Sequence, residues 1–139
     1  MIYQVEVTAT APVHPTEVSE RVKRAIENVF PTATVETESD QIRASTHSLS
    51  HLSEELHTRE ILDTARSEFL ANRGATGFSF TLKKQPALMD VVTFAVGKPS
   101  ELGEIDVHVR VDEPSVEELI EHIAPPTEDG VPITRPDDP

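Results

Sequence analysis

The chain has 139 residues and a formal charge of -13, from 25 Asp+Glu against 12 Lys+Arg, with no Cys, no Trp, 5 Gly and 11 Pro. That length supports a single core, and the absence of cysteine excludes a disulfide framework, a thiolate zinc site and a cysteine nucleophile. No apolar run approaches the roughly 18 residues that cross a bilayer, and Met1 to Val13 carries no basic region before its apolar residues, so a soluble, unprocessed, cytoplasmic protein is expected.

Ile2 to Ala11 alternates, with Tyr3, Val5, Val7, Ala9 and Ala11 on one side and Gln4, Glu6, Thr8 and Thr10 on the other, the pattern of a half-buried strand. Pro12 and Pro15 end it, and Thr16 is positioned to cap a helix whose Val18, Val22, Ala25, Ile26, Val29 and Phe30 share one face. Pro31 stops that helix. Thr34–Glu38 and Gln41–Ser45 read as a hairpin closed by Ser39-Asp40. From Ser48 to Asn72 the pattern is helical but changes face between Leu49, Leu52, Leu56 and Ile61, Leu62, Ala65, Phe69. This predicts a short helix, a bend near His57 and a longer helix ended by Arg73-Gly74. Strands follow at Phe78–Leu82, Val92–Val96 and Ile105–Val111. Pro114-Ser115 then opens a last helix with Val116, Leu119, Ile120 and Ile123 on one face.

The expected fold is one α+β domain over residues 1–124, in the order β-α-β-β-α-β-β-β-α. Its alternating strands imply a mainly antiparallel sheet with helices packed on one face and the other face open or paired. Residues 125–139, with five prolines, four acids and few apolar anchors, read as a disordered tail or an extended strap.

Charge is uneven along this chain. Asp112 to Pro139 holds nine acids and one base, whereas Arg59 to Lys98 is a local +2. A protein this negative repels polyanions at long range, so any nucleic-acid contact must be local and salt-sensitive. The acidity, with Arg outnumbering Lys eight to four, also suits solubility in a saline cytoplasm. Arg59, Arg66 and Arg73 are spaced by seven and predict one stripe along the second helix, the best phosphate candidate. Lys83 and Lys84 extend it. The competing reading is ordinary ion pairing, because Asp63 lies at i+4 from Arg59 and i-3 from Arg66.

Gly77-Phe78-Ser79-Phe80-Thr81-Leu82 has the alternating aromatics of a base-stacking strand, but lacks the leading base and final aromatic, so Phe78 and Phe80 are assigned to the core. His47 and His51 are four apart with His57, Glu54 and Glu55 nearby, yet Ser48 stands where a metalloprotease helix needs Glu. No nucleophile elbow, phosphate-cradling glycine loop or dinucleotide fingerprint occurs. The chain is therefore read as a non-enzyme without metal or cofactor.

Ile61-Leu62-Asp63-Thr64-Ala65-Arg66, then Phe80-Thr81-Leu82-Lys83-Lys84-Gln85, then Leu102-Gly103-Glu104-Ile105, resemble an uncharacterised archaeal family of UPF type described as RNA-binding. The resemblance spans about residues 1 to 126. It implies a fold like that of the large-subunit ribosomal protein that binds 5S ribosomal RNA, and RNA as the partner. Arg59, Asp63, Arg66, Lys84 and Gln85 match the family pattern, with Lys83 standing where the family run usually has Asn. The expected RNA contacts are therefore Arg59, Arg66, Arg73, Lys83, Lys84 and Gln85. The alternative is a protein-interaction module or homodimer joined through the open sheet face or an edge strand.

Overall fold

The computed structural model describes residues 3–96, 102–128 and 131–132. The remainder of the expected tail, residues 129–130 and 133–139, lies outside the described residues.

Strand β1 (Gln4–Pro12) is the centre of a five-stranded antiparallel sheet in the order β2-β3-β1-β5-β4, with β2 at Thr34–Thr37, β3 at Gln41–Thr46, β4 at Gly77–Leu82 and β5 at Ile105–Glu113. Alternation decides the faces. Val5, Val7, Ala9 and Ala11 of β1 point inward, as do Ile42 and Ala44, Phe78, Phe80 and Leu82, and Ile105, Val107 and Val109. Five helices cover that side, and the described residues place none on the other. They are α1 (Ser19–Val29), α2 (Ser50–Thr58), α3 (Leu62–Ala71), α4 (Lys84–Leu88) and α5 (Val116–Ile123). The short strands β6 (Thr127–Glu128) and β7 (Val131–Pro132) pair with each other.

Local chemistry explains most of these elements. Val22, Ala25, Ile26 and Val29 form the buried stripe of α1, and Leu62, Ala65 and Phe69 that of α3. The β2–β3 hairpin turns at Ser39-Asp40 as expected, with the Glu38 amide donating to the Gln41 carbonyl at 2.9 Å. Ser115 caps α5, its hydroxyl accepting from the Glu118 amide at 3.2 Å. Gly77 is needed at its place in β4 because a Cβ there would lie 2.1 Å from the Val109 carbonyl oxygen. Phe69 is fully buried, its ring 4.8 Å from that of Phe78 and 4.9 Å from that of Phe80, centroid to centroid, so both strand aromatics serve the core.

Three expectations are corrected. Thr16 caps nothing: α1 begins after Val18 without a side-chain cap. Instead the Glu17 carboxylate accepts from the His14 amide at 3.0 Å. Val92–Val96 is not a strand; only Phe94 bridges to Leu82, through two backbone bonds that tie Lys83 to Thr93 and Ala95 to Thr81. Between it and β4 stands α4, a five-residue helix whose Pro86 is tolerated because the first turn of a helix uses no amide donors. The expected order therefore loses the strand at Val92–Val96, gains α4, divides the bent second helix into α2 and α3, and adds the short strands β6 and β7 in the expected tail.

Candidate nucleic-acid interface

The break between α2 and α3 disposes of a continuous arginine stripe. Glu60 adopts φ 56°, in the left-handed region, and the helix axis restarts at Leu62. Arg59 is the residue after α2, only Arg66 lies within α3, and Arg73 falls beyond its end. A spacing of seven aligns side chains only while one helix persists.

Each of these guanidinium groups has a partner. Arg59 donates from Nε to Glu55 at 3.0 Å and from Nη2 to the Asp90 carbonyl at 3.1 Å. Arg66 donates to Glu121 at 3.0 Å and to the Ala124 carbonyl at 3.2 Å, joining α3 to α5. Arg73 is 4.0 Å from Glu117. Asp63, at pairing distance along the sequence from Arg59 and Arg66, bonds neither and instead accepts from the Thr127 hydroxyl.

Lys84 departs furthest from the expected surface. It is 8% exposed, and its ammonium donates to the Pro12 carbonyl at 2.6 Å, the Leu102 carbonyl at 2.5 Å and the Glu17 carboxylate at 2.9 Å. One buried cation thus joins the end of β1, the approach to α1, the start of α4 and the segment before β5. Burial alone would raise the Glu17 carboxyl, but the His14 amide and the Lys84 ammonium outweigh it and hold the group below its ordinary value. The alternation of a strand leaving the sheet puts Lys84 inside and its neighbour Lys83 outside. Lys83 and Gln85 are both exposed.

The open face of the sheet offers phosphate little. Arg110 there bonds Glu6 at 2.9 Å and Asp112 at 3.3 Å, and Asp112 first, then Glu6, raise its pKa above the ordinary value. Glu36 and Asp106 add further negative charge, and no Phe or Tyr stands on this face among the described residues. The histidines are spent locally: His47 bonds the Val5 carbonyl at 2.9 Å and His57 the Ser53 carbonyl at 2.7 Å. No metal-competent cluster occurs among the described residues.

Among the described residues, five bases carry no ion pair or side-chain hydrogen bond: Arg21, Lys23, Arg24, Arg43 and Lys83. Three of the five lie on α1. Arg21 and Arg24 are fully outside, and Arg21 shares a groove of about 170 Å³ with Gln85 and Leu88 of α4. The two helices are locked together where Asn28 donates to the carbonyls of Ala87 and Leu88, at 2.9 and 3.2 Å. Arg21 and Arg24 were legible in the sequence as an i, i+3 pair opposite the apolar stripe.

An α+β domain with a polar open sheet, and with the unpaired bases Arg21, Lys23 and Arg24 on a helix that covers its other face, is the class of molecule defined here. Residues 6–112 match the model of a family described as RNA binding, and the chain belongs to that family, which carries the name UPF0201 in archaea. A UPF0201 protein of Thermococcus kodakarensis is 41% identical over 137 residues, covering 92% of this chain and 95% of that one. A UPF0200/UPF0201 protein of Archaeoglobus fulgidus is 34% identical over 134 residues, 96% of this chain but 41% of that protein, so the chain spans under half of that relative's length. The crystal structure of a UPF0201 protein from Methanococcus jannaschii superposes with a TM-score of 0.85 at 34% identity, covering 93% of this chain and 99% of that one.

Proposed function

We propose that this protein is a non-enzymatic RNA-binding protein that meets backbone phosphates through Arg21 and Arg24 of α1 and Lys83 at the start of α4, with Gln85 beside them. The family match over residues 6–112 carries the reading. The choice of bases rests on their lack of any carboxylate partner: a guanidinium already held by Glu121 must give up that bond to take a phosphate, whereas Arg21 gives up only water. Glu20 and Glu27 flank these bases on α1, so the patch is small and its field short-ranged. Of the six residues that the sequence puts forward for RNA, Lys83 and Gln85 belong to this proposed surface, Arg66 and Lys84 serve as struts, and Arg59 lies apart at the α2–α3 junction.

The proposed substrate class is structured RNA, with 5S ribosomal RNA as the first probe, following the resemblance to the ribosomal protein that binds it. Fluorescence anisotropy across a salt series tests the reading. Affinity is expected to fall as salt rises, with a log–log slope of about -2 to -3 for three phosphate contacts. Salt-independent binding, or none at low salt, contradicts it.

A homodimer joined at β2 is a second reading. That strand pairs with β3 on one edge only, leaving its other edge without a strand partner among the described residues. Light scattering at micromolar concentration that gives a monomer mass removes it.

A further inference from the structure

A cleft of about 380 Å³ opens on the helical side of the molecule, between the α2–α3 junction and the extended segment that follows α4. Its floor is apolar, made by Ile61, Val92 and Phe94, and its sides carry the hydroxyls of Thr64 and Thr93, with the Arg59 guanidinium among the lining groups. Val92 and Phe94 are buried, Ile61 and Thr93 half-buried, and Thr64 and Arg59 exposed, so the cleft runs from a dry floor to a wet rim.

Two further features converge on this place. The described residues hold two non-glycine residues with positive φ, Glu60 at 56° and Asp90 at 62°. Glu60 separates Arg59 from Ile61, and Asp90 precedes Val91, so each adjoins a wall of the cleft. Both are the left-handed residues that end helices: the Ile61 amide donates to the Leu56 carbonyl at 3.1 Å around Glu60, and the Val91 amide to the Pro86 carbonyl at 2.8 Å around Asp90, so the ends of α2 and α4 meet at the cleft. The Arg59–Asp90 bond, at 3.1 Å, ties the two helix ends together. It leaves Nη1 of Arg59 without a protein partner among the described residues. The run Ile61 to Arg66, the most specific part of the family resemblance, divides its labour accordingly. Leu62 and Ala65 enter the core, Asp63 and Arg66 hold the C-terminal segment, and Ile61 and Thr64 face the cleft.

We infer that the cleft receives one unpaired nucleotide of the RNA, its base on Ile61, Val92 and Phe94, its polar edge against Thr64 and Thr93, and its phosphate at Arg59. This rests on the RNA-binding reading and deepens it. The volume falls in the range of small-ligand clefts, roughly 300–1,000 Å³, and the lining combines an apolar bed with a few orienting polar groups. Charge favours the same occupant. A chain of -13 with half of its described bases paired internally gains little from phosphates alone, and burial of one extruded base supplies about 1–3 kcal/mol that salt does not screen. The open sheet has no aromatic platform that could serve instead.

Methyl-labelled full-length protein titrated with each of the four nucleoside monophosphates, alongside RNA-affinity measurements, tests the inference. At least one nucleotide is expected to shift the methyl resonances of Ile61, Val91 and Val92 while leaving Val35 on β2 unmoved. Thr64→Trp, at an exposed position, fills the cleft; it is expected to abolish those shifts and weaken binding of RNA containing a bulged nucleotide at least tenfold, with fully paired duplex bound as before. Methyl spectra away from residue 64 that match wild type establish that the variant folds. No methyl shift with any nucleotide, or a T64W variant that binds bulged RNA as well as wild type, overturns the cleft assignment. Absence of binding to every RNA, with nucleotide shifts retained, instead overturns the RNA-binding reading and leaves a nucleotide pocket.

Discussion

Arg66 on α3 and Arg21 on α1 are the same residue type on helices that cover the same face of one sheet, and their surroundings differ completely. Arg66 is 24% exposed and held by Glu121 and the Ala124 carbonyl, 55 and 58 residues further along the chain. Arg21 lies outside the fold's ion pairs, at the lip of a groove shared with α4. Helical periodicity fixes the face a base occupies. Whether that base is free depends on what a distant element carries to it, and in this chain α5 carries Glu117 and Glu121 to the α3 side. The bases of the +2 segment are thus largely internal fasteners, and the surface left for a polyanion moves to α1 and α4.

The sharpest way to break this contrast is Lys84→Met. It leaves Glu17 and the Pro12 and Leu102 carbonyls without their shared donor in a buried setting, and is expected to cost about 3 kcal/mol by denaturant unfolding without lowering RNA affinity per folded molecule. Glu17→Gln keeps an acceptor but removes the charge, and should cost about 2 kcal/mol at neutral pH. Because the folded protein holds the Glu17 carboxyl below its ordinary 4.5, that difference is full above this value and fades as pH falls through the folded-state value. Unfolding curves of both proteins from pH 7 to pH 3 check the sign. Charge reversal at α1, Arg21→Glu with Arg24→Glu, should weaken RNA binding about tenfold, or about 1.4 kcal/mol, while stability stays within about 0.5 kcal/mol of wild type. Arg66→Ala is the mirror experiment: a loss of about 1 kcal/mol in stability from the α3–α5 tie, and RNA affinity at the wild-type level.

Strands and helix faces were legible wherever one periodicity ran uninterrupted, as in β1, the β2–β3 hairpin, the α1 stripe and the Ser115 cap. Local rules fail at Lys84–Leu88, where five residues containing Pro86 are too few to show a period, and at Val92–Phe94, whose alternation is real but whose backbone finds only the end of β4. The arginine stripe failed for a different reason. The face change between Leu56 and Ile61 was visible in the sequence and implied a bend, and a bend is incompatible with a spacing of seven continuing through it. The pairing of Lys84 with Glu17, 67 residues apart, left no sequence signal at all, because it depends on how β1, α1 and α4 converge. The cleft was hidden likewise, since its two walls meet through tertiary contacts such as the Arg59–Asp90 bond, between residues 31 apart in the chain.

Mapping where RNA touches the chain tests the central claim most directly. Photocrosslinking of full-length protein to thiouridine-labelled RNA, followed by identification of the modified peptides, should place adducts in residues 19–29 and 83–94 and at the Arg59–Thr64 rim. Adducts confined to the α3–α5 side, around Arg66, Arg73 and Glu117, or to the open face of the sheet would contradict it.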